Sequence, residues 1–370
     1  MNAMMKSDSY PLLSESAEEP SRAGSSALSA WQGGTLTCLE RRDETANSAS
    51  FVLVASESVR FDFMPGQFVT IGVDTASGRQ YRAYSISSSP SRSETLTITV
   101  KRVDGGLVSN HLLDHFHAGS QLEASAPAGS FRLDPADVPE SIVLLSAGSG
   151  ITPMMSIVRW LRDCRSDVRI HFIHSARSEA DFMFSDELLA LSQQANFRLD
   201  LFLTQPEQTI ACHTGRLTPE QLDALLTEAS DNADRRRFFL CGNYAYMAMV
   251  EHWFAASGLP VEELRKESFT PAELPPAETS GAVFQLTVPS FGKTAAIADG
   301  QTLLEIMEAE GLPIIGACRS GVCGSCKCKV VEGEVERIST ETLTPDDIAA
   351  GYALACNTRA HGDVIVELAV

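Results

Sequence analysis

Cys318, Cys323 and Cys326 stand in the spacing C-x4-C-x2-C, inside the run Gly-Ala-Cys-Arg-Ser-Gly-Val-Cys-Gly-Ser-Cys-Lys-Cys-Lys-Val from Gly316 to Val330. Cys356, near the C-terminus, supplies a fourth sulfur. This is the plant-type arrangement for a [2Fe–2S] cluster, with three thiolates on one tight loop and a fourth from elsewhere. Gly321, Gly324 and Ser325 are small enough to let backbone N–H groups turn toward the sulfurs, and such hydrogen bonds help set a reduction potential. A zinc site drawn from Cys318, Cys323, Cys326 and Cys328 is the alternative. Zinc sites usually pair two C-x2-C knuckles, and this run does not. Cys328 reads as a small residue in the strand leaving the loop. A one-electron centre needs a source of single electrons, so the remaining chain has to be read for one.

At 370 residues the chain has room for two or three domains, each with its own core. No apolar run approaches the length of a membrane span, and the Ser- and Glu-rich N-terminus lacks the apolar centre of a secretory signal. A cytoplasmic protein is expected. The odd count of nine cysteines argues against a disulfide framework. With 48 acids against 29 bases, a net charge of −19, nucleic acid is an unfavourable partner. Acids are dense between Glu332 and Asp347; they read either as a solvated face or as a docking patch for an electron acceptor.

Residues 1–29 show no periodicity and are expected to be a disordered tail. From about residue 30 to 137 the pattern is β. Phe51–Val54 is a short apolar run, Thr95–Val100 alternates strictly, and Pro65-Gly66-Gln67-Phe68 reads as a turn feeding a strand. Several short strands with turn signals predict an antiparallel barrel. From 138 to 270 the period changes. Apolar strands at Ser141–Ser146, Val168–His174, Phe197–Thr204 and Arg237–Cys241 alternate with helical segments at Met154–Asp163, Ser185–Ala195 and Pro219–Ala229. That alternation predicts a parallel sheet with crossover helices. Residues 271–281 form a Pro-rich linker, and 282–370 carry the cysteine run.

Four further motifs stand in order along this chain. Arg82-Ala83-Tyr84-Ser85 lies on a barrel strand, and Lys101-Arg102-Val103 leads into Gly105-Gly106-Leu107-Val108-Ser109. Gly148-Ser149-Gly150-Ile151-Thr152-Pro153 joins a strand to a helix, where unpaired N–H groups can meet an anion. Cys241-Gly242-Asn243 ends a later strand. Together they resemble the ferredoxin–NADP⁺ reductase superfamily. The last ninety or so residues resemble the β-grasp, ferredoxin-like domains of plant-type iron–sulfur proteins, through the cysteine run, Ala353-Leu354-Ala355-Cys356, and Asp299–Leu304 opening that family's one long helix.

The resemblance implies roles. Arg82 would pair with a flavin phosphate, Tyr84 pack on the isoalloxazine with Ala83 beside it, and the Ser85 hydroxyl approach flavin N5. Lys101, Val103, Gly105, Gly106, Leu107, Val108 and Ser109 would cradle the flavin pyrophosphate. FAD is favoured over FMN. Gly148, Gly150, Thr152 and Pro153 would form the nucleotide loop, with Cys241 and Gly242 beside the nicotinamide. Phe269 would cover the flavin and yield to nicotinamide, with the acid at 267 nearby. Arg177 is open to the nucleotide's ribose or to a 2′-phosphate. The run Asp181–Leu188 resembles NADH-using members, so NADH is favoured over NADPH. Cys318, Cys323, Cys326 and Cys356 would hold the cluster.

No oxygenase or haem domain is apparent. The order of motifs resembles reductase components of oxygenase systems, most of all those serving Rieske-type oxygenases of the glycine-betaine demethylase kind, and also NADH reductases of hybrid-cluster proteins. A terminal oxygenase is the implied partner. A reductase for a diiron monooxygenase, or a redox-sensing carrier without turnover, are the other readings. His111, His115 and His117 lack a Cys or carboxylate pattern, and the third leaves the helix face of the first two.

Overall fold

A computed structural model of the protein describes residues 28–75, 78–207, 209–228, 236–269, 281–319, 321, 323–340 and 342–368. Most of the expected tail and linker, residues 1–27 and 270–280, lies outside them. Among the described residues no helix is long and apolar enough to cross a membrane.

The first body is the expected antiparallel barrel. Its strands are β1 (Gly33–Thr45), β2 (Ser48–Ala55), β3 (Phe68–Thr75), β4 (Gly78–Ser85), β5 (Leu96–Lys101) and β6 (Gln121–Ser125), with helix α1 (Leu107–His115) between the last two. The sheet runs β4-β3-β6-β1-β2-β5, and a bridge from Ile86 to Ile98 brings its two edges together. Alternate residues such as Phe51, Leu53, Ile71, Ile98 and Val100 point inward and are fully buried.

The second body has β7 (Ser141–Ala147), α2 (Ile151–Cys164), β8 (Arg169–Ala176), α3 (Ser185–Leu191), β9 (Phe197–Leu203), β10 (His213–Thr214), α4 (Pro219–Glu228), β11 (Arg236–Gly242), α5 (Tyr244–Ala256) and β12 (Leu264–Ser268). All its pairings are parallel, in the order β10-β9-β8-β7-β11-β12. The order reverses between β7 and β11, which opens a crevice at the carboxyl ends of those strands. α2 begins at Ile151, three residues before the expected start, because Pro153 is tolerated in a first turn, where its missing N–H has no partner to lose. α5 was not anticipated; its start is marked by Asn243, whose side chain accepts from the Tyr246 N–H at 3.0 Å.

The third body has β13 (Val283–Val288), β14 (Lys293–Ala298), α6 (Leu303–Ala309), β15 (Lys327–Glu332), β16 (Val335–Arg337), α7 (Pro345–Ala349), β17 (Tyr352–Leu354), β18 (Thr358–Ala360) and β19 (Val364–Leu368). A mixed sheet β14-β13-β19-β15-β17 packs under α6, and β16 pairs with β18. The expected long helix is short: α6 has 7 residues, opened by a Thr302–Glu305 capping box and stopped by Gly311 at φ 68°. In the acidic stretch, Asp347 is tied to Lys327 at 2.6 Å.

The barrel and the parallel-sheet body are latched by side chains of α2. Arg159 donates to the Ser87 carbonyl at 2.6 Å while its other nitrogens grip Glu187, and Ser156 donates to the Ser88 carbonyl at 2.7 Å. Ser87 and Ser88 directly follow the Arg82–Ser85 strand, so the latch sets the position of that motif against the crevice. The third body meets the barrel through an apolar patch in which Ala317 and Cys323 pack on Phe68.

One buried group gives the second body a pH dependence. His174, with no exposed surface, shares a proton between Nδ1 and the Ser146 hydroxyl at 2.8 Å and stacks on Phe182. Burial pushes its imidazole down from 6.5 to about 3. Between those values the unfolded chain binds a proton that the folded chain refuses, so stability is lost as pH falls below about 6.5 and is unaffected by this group above it. In urea unfolding, the midpoint should drop between about pH 7 and pH 5, and His174→Leu should flatten that segment. An identical slope in the variant would contradict this.

Candidate functional site

A cavity of about 600 Å³ opens where the three bodies meet. Its wall takes Arg82, Ala83, Tyr84 and Ser85 from β4, and Lys101 to Ser109 from the end of β5 into α1. Ser149 and Thr152 come from the turn into α2, Glu267 to Phe269 from the end of β12, and Ala317, Cys318 and Cys323 from the cysteine loop. Residues as far apart in sequence as Phe68 and Cys323 thus face one space.

The cavity is built for an anion. Arg82 donates to the Tyr81 carbonyl at 2.7 Å, and neither it nor Lys101 makes an ion pair among the described residues. Two half-buried cations without a carboxylate are costly in a chain of net charge −19 unless a ligand supplies the counter-charge. The two helices that open on the cavity, α1 and α2, have no side-chain cap and no acid in the first turn. The first N–H groups of α1 are open to phosphate oxygens, whereas in α2 the Ile151 N–H bonds the Gly148 and Ser149 carbonyls and Pro153 has none. Gly106 is required for this shape, since a Cβ there would fall 2.5 Å from the Ser109 hydroxyl, which accepts from the Val103 N–H at 3.3 Å. Burial holds the Tyr84 phenol protonated, well above its ordinary value. The cavity volume, the cation pair and the bare helix ends fit a flavin dinucleotide.

Ser85 donates to Glu267 at 3.3 Å, which links the barrel motif to the end of β12. Glu267 stands opposite Cys241 in the β11–β12 register. Cys241 itself is fully buried, and burial together with the Glu267 charge pushes its thiol well up, so it stays a neutral, unreactive group. Its part in the site is steric. A Cβ on Gly150 would collide with the Cys241 carbonyl, so only glycine lets the turn into α2 approach β11. Gly148, at φ 55°, Gly150, Pro153, Cys241 and Gly242 therefore sit along the crevice edge, outside the cavity wall. Arg177 lies further along that edge, its Nε on Gln205 at 3.1 Å. Phe269, 42% exposed, lines the cavity mouth. Thr99 also lines the cavity although no motif marked it; the acid Glu267 and Phe68, from the turn at Pro65, line it too, with Phe68 opposite Ser85 in the strand register.

The four cysteines of the spacing pattern converge in two pairs. The Cys318 thiol interacts with Cys323, raising it, and the Cys356 side chain and N–H act on Cys326, lowering it; the N–H lies 3.5 Å from the Cys326 sulfur. Cys356, raised by Cys318 and Cys326, joins the pairs. Among the described residues no three His, Cys, Asp or Glu side chains gather around a single ion position. Two thiols for each of two irons is the arrangement a [2Fe–2S] centre takes, and the donor set fits it. Cys328 points into the core from β15, its thiol pushed up to about 12 by burial. His111 and His115 stack edge-on at 5.3 Å, and His117 bonds Ser120.

Residues 36–133 match the oxidoreductase FAD-binding domain family, 144–252 the oxidoreductase NAD-binding domain family, and 286–361 the 2Fe-2S iron-sulfur cluster binding domain family. The chain is 32% identical over 363 residues to the glycine betaine monooxygenase reductase subunit of Pseudomonas aeruginosa, covering 91% of this chain and 96% of that one. The chain belongs to the ferredoxin–NADP⁺ reductase superfamily, in the branch with a C-terminal [2Fe–2S] domain. It is also 36% identical over 306 residues to the NADH oxidoreductase HCR of Escherichia coli, across 83% of this chain and 89% of that one. Phthalate dioxygenase reductase shares the fold, with a TM-score of 0.61 at 23% identity over 91% of this chain and 98% of that one. The protein is an NADH-dependent oxidoreductase whose cofactors are FAD and a [2Fe–2S] cluster.

The Gly150 contact gives a direct test. Gly150→Ala should weaken NAD⁺ binding by about tenfold or more, roughly 1.4 kcal/mol, and leave the flavin content unchanged. Calorimetric titration of the holoprotein measures it; an unaltered Kd would mean that the turn relaxes without cost.

Proposed function

We propose that this chain is the reductase of a multicomponent oxygenase, taking electron pairs from NADH and delivering single electrons to a separate terminal oxygenase. The observation that carries this reading is the one cavity walled by the barrel motif, the α2 turn and the cysteine loop together. FAD, when bound, accepts electrons in pairs and releases them singly, which is what joins a nicotinamide to a one-electron cluster.

The chain's own residues would do the holding. Arg82 and Lys101 neutralise the flavin phosphates, and the backbone at Gly105, Gly106 and Ser109 closes around them. Tyr84, kept as a neutral phenol, offers an aromatic face, and Ala83 leaves room for close packing. Phe269 covers the cavity mouth until nicotinamide displaces it. The Ser85–Glu267 hydrogen bond fixes a hydroxyl at the cavity wall. Gly148, Gly150, Thr152, Pro153 and Gly242 shape the crevice for the nucleotide, with Arg177 at its ribose end. Cys318, Cys323, Cys326 and Cys356 hold the iron, and Ala317 packed on Phe68 keeps water from the path between cluster and flavin sites.

The partner is a Rieske-type monooxygenase acting on glycine betaine or a similar N-methyl compound, and the pair works in the cytoplasm. The likeness to a glycine betaine monooxygenase reductase subunit over nearly the full length of both chains supports this choice.

Cys326→Ser separates the two halves of the reaction. NADH should still bleach the flavin at a rate within about twofold of wild type in stopped flow, while cytochrome c reduction should fall by roughly a hundredfold, since three thiolates do not complete the set of four. Equal loss of both activities would overturn the proposed order of centres.

A further inference from the structure

Asn357 directly follows Cys356 and has no exposed surface. Its backbone carbonyl accepts from the Ile338 N–H at 2.9 Å, yet among the described residues its side-chain oxygen and nitrogen both lack a hydrogen-bond partner. Leaving a whole carboxamide buried and unbonded is unfavourable, and such a group calls for a partner not yet in place. The amide nitrogen lies against the cysteine loop: a Cβ built on Gly321 would fall 2.5 Å from Nδ2. The same glycine, at φ 73°, has its carbonyl held by the Ser339 hydroxyl at 2.9 Å. A second buried orphan, the Thr342 hydroxyl, stands beside Gly324, 3.3 Å from a Cβ built there. Gly321 and Gly324 are the two bends of the loop that carries Cys318, Cys323 and Cys326.

Elsewhere in this domain buried hydroxyls are satisfied. Thr302 caps α6, and Thr358 donates to the Leu354 carbonyl at 2.9 Å. The Arg359 Nε atom also makes no hydrogen bond among the described residues, on a guanidinium that meets Glu336 at 4.0 Å, but Asn357 and Thr342 both stand beside the cysteine loop, and cluster sulfurs are acceptors that match an amide N–H and a hydroxyl. Resting on the reading that Cys318, Cys323, Cys326 and Cys356 hold a [2Fe–2S] centre, we propose that the Asn357 side-chain amide donates to a cluster sulfur and raises the reduction potential, with the Thr342 hydroxyl as a weaker second donor. Asn357 is a positioning and tuning residue. Each donor withdraws charge from sulfur and so favours the reduced, more negative state.

Asn357→Leu keeps the branched shape and removes both polar atoms. In the full-length holoprotein it should lower the equilibrium constant for taking up one electron about tenfold, a drop of about 59 mV, with iron and sulfide per chain and the flavin potential unchanged. Thr342→Val should shift the cluster potential in the same direction by less. Asn357 is the sole asparagine from 281 to 370, so wild-type protein carrying ¹⁵N only in asparagine side chains gives a readout without mutation. The reduced cluster should show hyperfine coupling to that nitrogen. An unchanged potential with intact iron in Asn357→Leu, or absent coupling in wild type, overturns the inference. Wild-type protein that holds no iron would instead overturn the cluster assignment beneath it.

Discussion

A small apolar seam, Ala317 and Cys323 against Phe68, joins the iron–sulfur body to the barrel. Electron transfer between two centres depends on their closeness and on the medium between them. Phe68 stands opposite Ser85 in the β3–β4 register, so the seam backs directly onto the strand that lines the flavin cavity. On the other side, the cysteine loop brings Cys318 and Cys323 to the wall of the same cavity. The rest of the molecule holds those two surfaces together. The barrel fixes Phe68 and Ser85, α6 and β15 fix the loop, and Arg159 and Ser156 clamp the nucleotide-binding body to the barrel just beyond Ser85.

Electrostatics work in two directions around this junction. The chain as a whole is acidic, and on the cavity wall Arg82 and Lys101 make no ion pair among the described residues. A dinucleotide carrying phosphates completes that charge balance, so cofactor binding and folding stability are coupled. By contrast, Cys241 and Tyr84 are held neutral by burial. The cavity wall thus carries Arg82 and Lys101, with Asp104 near the latter, a neutral Tyr84, and Glu267 bonded to Ser85. Such a wall leaves the redox chemistry to the cofactors while the protein supplies position.

Much of this was legible in the sequence because the chemistry sits on short contiguous segments. Arg82–Ser85, Lys101–Ser109 and the cysteine run each carry their spacing locally, and the parallel body announced itself by alternating apolar strands and helices. What escaped depends on strand register or on tertiary contact. Thr99 reaches the cavity because β5 ends there, and Phe68 because β3 pairs with β4. For Cys241, expected beside the nicotinamide, what the sequence did not carry is that its carbonyl faces the turn at Gly150. Asn357 was invisible as a functional residue, since nothing local distinguishes a buried amide beside a cysteine from an exposed one. The length of α6 was overestimated because its capping signal marks a start but says nothing of the glycine at 311 that ends it.

The account's central claim is that NADH reduces iron in this chain through one internal junction. Anaerobic titration of the purified holoprotein with NADH, read by visible absorbance and by EPR in parallel, tests it most directly. The account predicts uptake of about three electrons per chain, two at the flavin and one at the cluster, with the reduced-iron signal growing as the flavin bleaches. Flavin bleaching that stops at about two electrons, with the iron still oxidised and EPR-silent, would contradict it.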